Sequence, residues 1–156
     1  MAKVTVSETV DAPLADLWAS WDDFGDIYRF NPNLKTSFLL DGSATTGLGA
    51  RRQCNLADGK NHIQERIIEY TPQKKLVIDI YHGTLPLKSA LATFDFESLG
   101  PGKSRVTMTM DFTPKFGPLG LLMVPMMKPQ FRRMLGALLK ANAGYVERGE
   151  EVRVAA

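Results

Sequence analysis

The sequence predicts an α+β domain in which a curved antiparallel sheet grips a long C-terminal helix, and two patterns carry that expectation. From Pro129 to Arg148, the apolar residues Phe131, Met134, Leu135, Leu138, Leu139, Tyr145 and Val146 fall at offsets 0, 3, 4, 7, 8, 14 and 15. That spacing is the stripe of one buried helical face. Upstream, most of the chain reads as short alternating strands joined by tight turns, which is the pattern of an antiparallel meander. One face of such a sheet needs an apolar cover, and the terminal helix supplies it.

Lys3 to Val10 alternates Val4 and Val6 with Thr5 and Ser7 and forms the first strand. Asp11 is placed to cap the next helix, with Pro13 in its first turn, where a missing N–H costs nothing. Leu14, Leu17, Trp18 and Trp21 give that helix an apolar face, and both tryptophans read as core. Gly25 sets off a second helical piece, Asp26 to Phe30, which Asn31-Pro32 stops. Further strands follow at Leu34 to Leu40, Ala50 to Leu56, His62 to Tyr70, Leu76 to His82, Lys88 to Glu97 and Arg105 to Phe112. Asp58-Gly59 is a two-residue hairpin signal, and Thr71-Pro72-Gln73, Gly83 to Pro86 and Gly100-Pro101-Gly102 mark other turns.

Faces follow from the alternation. Val106, Met108, Met110 and Phe112 point inward on the last strand, and Ala90, Ala92, Phe94 and Phe96 on the one before. Leu76, Ile78 and Ile80 line the strand preceding that, with His82 at its rim. Alanine and methionine where a filled core would carry Leu or Ile fit a cavity, although methionine also serves as core filler.

Composition narrows the function classes. A chain of 156 residues is expected to form one domain, 1–156, with a sizeable core. Its net charge of +2 and lack of a basic run interleaved with aromatics argue against nucleic-acid binding. Cys54 is the only cysteine, so an internal disulfide and a Cys-rich metal site are excluded. The opening residues lack a signal-peptide pattern, and the longest apolar run, Leu119 to Met127, is far short of the roughly 20 residues of a membrane span. A cytoplasmic protein is expected.

The interior offers one polar feature. With Asp58-Gly59 at the hairpin tip, Cys54 faces Ile63, Arg52 faces Glu65 and Ala50 faces Ile67. Ile63 and Ile67 argue that this face points inward and carries Arg52 and Glu65 with it. One reading is a self-satisfied ion pair that fixes register, since either charge alone would be costly. The other is a polar anchor for a ligand carboxylate, ketone or hydroxyl. A slip of one residue would substitute Arg51 and Arg66. His82, beside a loop, is a weaker candidate for proton transfer, and His62 is expected in solvent. The two histidines lack the ligand spacing of a metal site, and the apolar neighbours of Cys54 disfavour its thiolate. No nucleophile elbow is present, and Gly47-Leu48-Gly49 lacks the rest of a dinucleotide fingerprint, so no cofactor is expected.

Pro114 to Pro129 crowds Leu119, Leu121, Leu122, Met123, Val124, Met126 and Met127 between prolines that interrupt a regular helix. Three readings stand: a kinked extension of the terminal helix, an apolar lid at a cavity mouth, or a shallow membrane contact flanked by Lys115, Lys128, Arg132 and Arg133. The membrane contact is the least favoured.

The chain resembles the Bet v 1-like, START-related helix-grip superfamily (SRPBCC), in its bacterial polyketide cyclase/dehydrase-like branch. Val10-Asp11-Ala12-Pro13 with Leu17-Trp18 and Trp21, then Asp23-Phe24-Gly25 and Phe30-Asn31-Pro32, carry the resemblance. It continues in Gly47-x-Gly49-x-x-Arg52, Asp58-Gly59, Glu65-Arg66-Ile67, Leu85-Pro86 and the stretch from Phe131 to Glu147. The resemblance implies seven antiparallel strands, two small helices and a long helix enclosing a hydrophobic pocket. Members bind lipids, sterols, hormones, quinones or polyketides, and a few catalyse cyclisation or dehydration. Arg52 and Glu65 fall where the branch often carries Arg and Glu, and Leu85-Pro86 falls on the gate loop of the related plant abscisic acid receptors. Ile78 stands where a Tyr is common, which removes one candidate donor.

The expected function is binding of a hydrophobic small molecule between sheet and helix. Phe38, Arg52, Cys54, Glu65, Ile67, Ile78, Ile80, Phe94, Phe96, Met108, Met110, Met134 and Leu138 would line the pocket. Leu85, Pro86, Leu87, Leu122 and Met126 would flank its entrance. The alternatives are a cyclase or dehydratase, with Arg52 polarising a carbonyl and Glu65 or His82 moving a proton, and a membrane-associated lipid carrier or interaction module.

Overall fold

The computed structural model describes residues 1–152; positions 153–156 of the expected domain lie outside the described residues. The first strand, β1 (Ala2–Val10), leads into helix α1 (Leu14–Asp22) and a 3-10 helix (Phe24–Arg29). Six strands follow: β2 (Leu34–Leu39), β3 (Arg51–Leu56), β4 (His62–Thr71), β5 (Lys75–Gly83), β6 (Leu87–Gly100) and β7 (Lys103–Pro114). Helix α2 (Gly117–Arg148) closes the fold. The strands form one curved antiparallel sheet in the order β1-β7-β6-β5-β4-β3-β2, a meander with the first strand added beside the last.

The inward rows match the alternation read from β6 and β7: Ala90, Ala92, Phe94, Phe96, Val106, Met108, Met110 and Phe112 are all buried. Leu135, Leu138, Leu139 and Ala143 of α2 pack over them. A buried polar link fixes α1 against α2, because Trp21 Nε1 donates to Asn142 Oδ1 (3.1 Å) while Asn142 Nδ2 donates to Ser20 Oγ (2.9 Å).

Several expectations are corrected. Asp11 does not cap α1; Pro13 occupies the cap position without a side-chain bond, and the Asp11 N–H donates to Glu147 on α2. The β3–β4 connection is the five-residue loop 57–61 rather than a two-residue turn, with Leu56 N bonded to Asn61 O. The register is unaffected, with Arg52 opposite Glu65 and Cys54 opposite Ile63.

Helix α2 begins at Gly117, twelve residues before Pro129, and runs through both Pro125 and Pro129. Each proline removes one N–H from the ladder, yet the carbonyls left over belong to Leu121 and Pro125, both exposed, so they can turn to water. Gly120 seats the first turn, because a Cβ there would collide with the Lys115 carbonyl oxygen.

Candidate functional site

A cavity of about 110 Å³ lies between the sheet and the middle of α2. Its deep walls come from Trp21, Ile27, Leu34, Ala92, Phe94, Met108 and Met110, with Leu135 and Leu138 as the helical side. The half-buried residues among its lining, Asn33, Leu56, Ile63, Ile80, Leu85, Leu87, Phe131 and Met134, mark the side nearest solvent.

Adjacent strands bring the polar group together. Arg52 on β3 and Glu65 on β4 are direct partners, and both are buried, at 3% and 6% exposure. Arg52 Nε donates to Glu65 Oε1 at 3.1 Å, and Nη1 donates to the Phe24 carbonyl at 3.0 Å. The guanidinium also lies over the Phe24 ring, 3.9 Å from its centroid, a cation–π contact. The 3-10 helix thereby holds the arginine in place from above the sheet. Cys54 Sγ, two residues along β3, donates to the same Oε1 at 3.1 Å.

These bonds leave Arg52 Nη2 and Glu65 Oε2 without a partner among the described residues. No sealed side-chain nitrogen or oxygen among those residues lacks a hydrogen bond, so the two free atoms are not sealed off, and both residues line the cavity. Burial pushes the Cys54 thiol well above its ordinary pKa, and the nearby Glu65 carboxylate adds to that shift. The thiol is therefore a neutral donor to Glu65 rather than a nucleophile.

Of the residues expected in the pocket, Arg52, Cys54, Glu65, Ile80, Phe94, Met108, Met110, Met134 and Leu138 line the cavity. Ile67, Ile78 and Phe96 are buried in the core but not in its wall. Phe38 is 45% exposed, because the irregular register between Leu34 and Thr36 turns Ser37 inward and sends Phe38 out. His82 is likewise on the outside. A bulge leaves Tyr81 unmatched between Ile80 and His82, so the alternation slips, and the His82 ring faces His62 on the outer surface at 6.3 Å.

Among the entrance candidates, Leu85 and Leu87 line the half-buried side, whereas Pro86, Leu122 and Met126 are exposed and line none of it. The phase of α2 explains the last two. Gly120, Val124, Met127 and Phe131 form its inner stripe, which leaves Leu122 and Met126 on the opposite face. The reading missed Asn31 and Asn33. Asn31 Oδ1 accepts from Asn33 N, and Asn33 Nδ2 donates to the Met134 carbonyl, tying the loop after the 3-10 helix to α2. Nothing in Asn31-Pro32-Asn33 beyond a turn signal points to that role.

The sequence matches the profile of the family described as polyketide cyclase/dehydrase and lipid transport over residues 1–147. The chain belongs to that family. Its fold is similar to that of the Zhui aromatase/cyclase from Streptomyces sp. R1128, with a TM-score of 0.80 at 17% identity over 94% of each chain. A START superfamily protein from Mycobacterium smegmatis gives a TM-score of 0.78 at 19% identity, covering 94% of this chain and 97% of that one. The XoxI protein from Bacillus cereus gives 0.77 at 20% identity, covering 94% and 96%. No curated protein matches the sequence. At these identities the likeness establishes the shared helix-grip fold, and the chemistry has to be argued from the site.

Proposed function

We propose that the protein binds a small hydrophobic molecule bearing one hydroxyl or carbonyl group, held in the cavity between the sheet and α2. The observation that carries this reading is the pairing of a mostly apolar wall with the two free atoms, Arg52 Nη2 and Glu65 Oε2. A carbonyl oxygen would accept from Nη2, and a hydroxyl would donate to Oε2. A ligand lacking both would leave a buried charge pair facing hydrocarbon, which disfavours it.

Volume limits the ligand. At about 110 Å³ the cavity is smaller than the roughly 150 Å³ engineered apolar cavity that takes up benzene, and well below the roughly 300 Å³ at which drug-sized sites begin. Even one substituted ring needs a small outward shift of the half-buried side formed by Leu85, Leu87 and Met134. A longer acyl chain or a fused-ring ketone would have to displace the Leu85–Leu87 side or the facing turn of α2.

Binding is favoured over turnover because Glu65 Oε1 is taken up by Arg52 and Cys54 and His82 lies on the outer surface, which leaves Oε2 without a second proton-transfer group beside it among the described residues. The similarity of the fold to an aromatase/cyclase makes cyclisation the second reading, with Arg52 polarising a ketone.

The test is native mass spectrometry of the purified protein, followed by solvent extraction and identification of what it carries. A co-purified or titrated ring compound with one polar group, lost in Ala92→Phe, whose new side chain would occupy the cavity, is the expected result. Retention of the same compound by a folded Ala92→Phe protein would place the binding elsewhere and overturn the reading.

A further inference from the structure

The first three turns of α2 present an apolar face to solvent. Leu119, Leu122 and Met126 lie on the side opposite the inner stripe and are 70%, 75% and 77% exposed. Phe116, just before the helix, is 69% exposed. A surface helix normally turns its polar residues outward; here the order is reversed.

The surrounding charge has one sign. No Asp or Glu occurs from Phe112 to Val146, while Lys115, Lys128, Arg132, Arg133 and Lys140 do. Arg133 continues the exposed face and Arg132 lies at its edge, while half-buried Lys128 sits nearer the inner stripe. Lys88, at the start of β6, lies against Lys115, Phe116 and Leu121 across a shallow depression. None of Lys88, Lys115, Lys128, Arg132 and Arg133 forms an ion pair with another described residue.

We propose that this face docks the protein on an anionic lipid surface, with Phe116, Leu119, Leu122 and Met126 inserted at the acyl boundary and the cations against headgroup phosphates. A basic-flanked helix of this kind lies in the plane of the interface. A two-fold dimer through the same face would set these cations against their own copies with no carboxylate between them, which disfavours a second copy as the occupant. The docking face is also joined to the cavity's half-buried side, because the Lys115 N–H donates to the Pro86 carbonyl in the loop carrying Leu85 and Leu87. Docking stands on the exposed face alone and does not require the proposed ligand.

The experiment is co-sedimentation of the full chain with phosphatidylcholine vesicles, with and without phosphatidylglycerol, at low and high salt. Binding to the anionic vesicles, weakened at about 1 M salt as the screening length falls to about 3 Å, is the expected result. Replacing both Arg132 and Arg133 with Gln should weaken it about 25-fold, at about fivefold for each cation. Leu122→Glu with Met126→Glu should abolish it while the melting temperature and cavity binding of a hydrophobic probe stay unchanged, since both side chains are exposed. Absence of sedimentation, or sedimentation unaffected by either double variant, overturns the proposal. A concentration-dependent dimer that the Glu variant dissociates, without vesicle binding, overturns it in favour of a second copy.

Discussion

Arg52 and Glu65 stand opposite one another on β3 and β4, with Nε 3.1 Å from Oε1, and are the charged pair in a mostly apolar wall. The pair is buried, so its charges compensate each other at close range rather than through water. Two contacts from Arg52 to Phe24, one to its carbonyl and one to its ring face, tie the pair to the 3-10 helix.

Removing one member therefore leaves a buried charge without its partner. Glu65→Leu is expected to lower unfolding free energy by about 3–5 kcal/mol, whereas Arg52→Met with Glu65→Leu should recover most of that loss. Urea denaturation of the three proteins measures both effects. A double variant as unstable as the single one would mean that the pair contributes through its other bonds rather than through mutual compensation.

The raised pKa of Cys54 has a sign that can be tested. Between the unfolded thiol's value, about 8.5, and the higher native value, the native state keeps a proton that the unfolded state has released. Stability from this group is fully present below about pH 8.5 and falls as pH rises through that window. Cys54→Ala should flatten the alkaline decline in the melting temperature, and the native thiol should resist iodoacetamide at pH 8. Rapid alkylation of the folded protein would contradict the burial argument.

Asn142 is expected to matter more than its neighbours on α2. Asn142→Ala would strip Trp21 Nε1 of its acceptor and Ser20 Oγ of its donor in a buried site, at about 1–3 kcal/mol for each group left unsatisfied. Near-neutral thermal unfolding of this variant would show that the two helices are held by packing alone.

Leu138 and Phe38 separate the inner from the outer surface. Leu138→Ala enlarges the cavity and is expected to cost about 2–5 kcal/mol, with a gain in the size of ring compound accepted. Phe38→Ala, at an exposed position, should change stability by no more than about 0.5 kcal/mol and leave ligand binding intact. Calorimetric melts with and without a bound ring compound distinguish the two.

The positions where sequence and structure part share a cause. Alternation placed β6 and β7 correctly because both strands are long and keep one inner face. It failed at Phe38 and His82, where a register irregularity or bulge shifts the period by one residue and inverts every side chain beyond it. Asn142 sits at offset 11 from Phe131, on the apolar stripe itself, so a polar residue on a buried face was a readable sign of an internal hydrogen bond. Asn33, by contrast, acts through the approach of a loop to α2, which no local pattern encodes.

By itself the sequence determined the helix-grip architecture and the Arg52–Glu65 pairing, because both follow from short-range rules: a period of two, a period of 3.6 and the position of one turn. Tertiary structure decided the size of the cavity, the free atoms on that pair, and the outward turn of Leu122 and Met126. Those depend on how strands far apart in the chain are bulged, how closely α2 approaches them, and the phase at which it leaves Gly120. Such quantities are set by packing between distant segments.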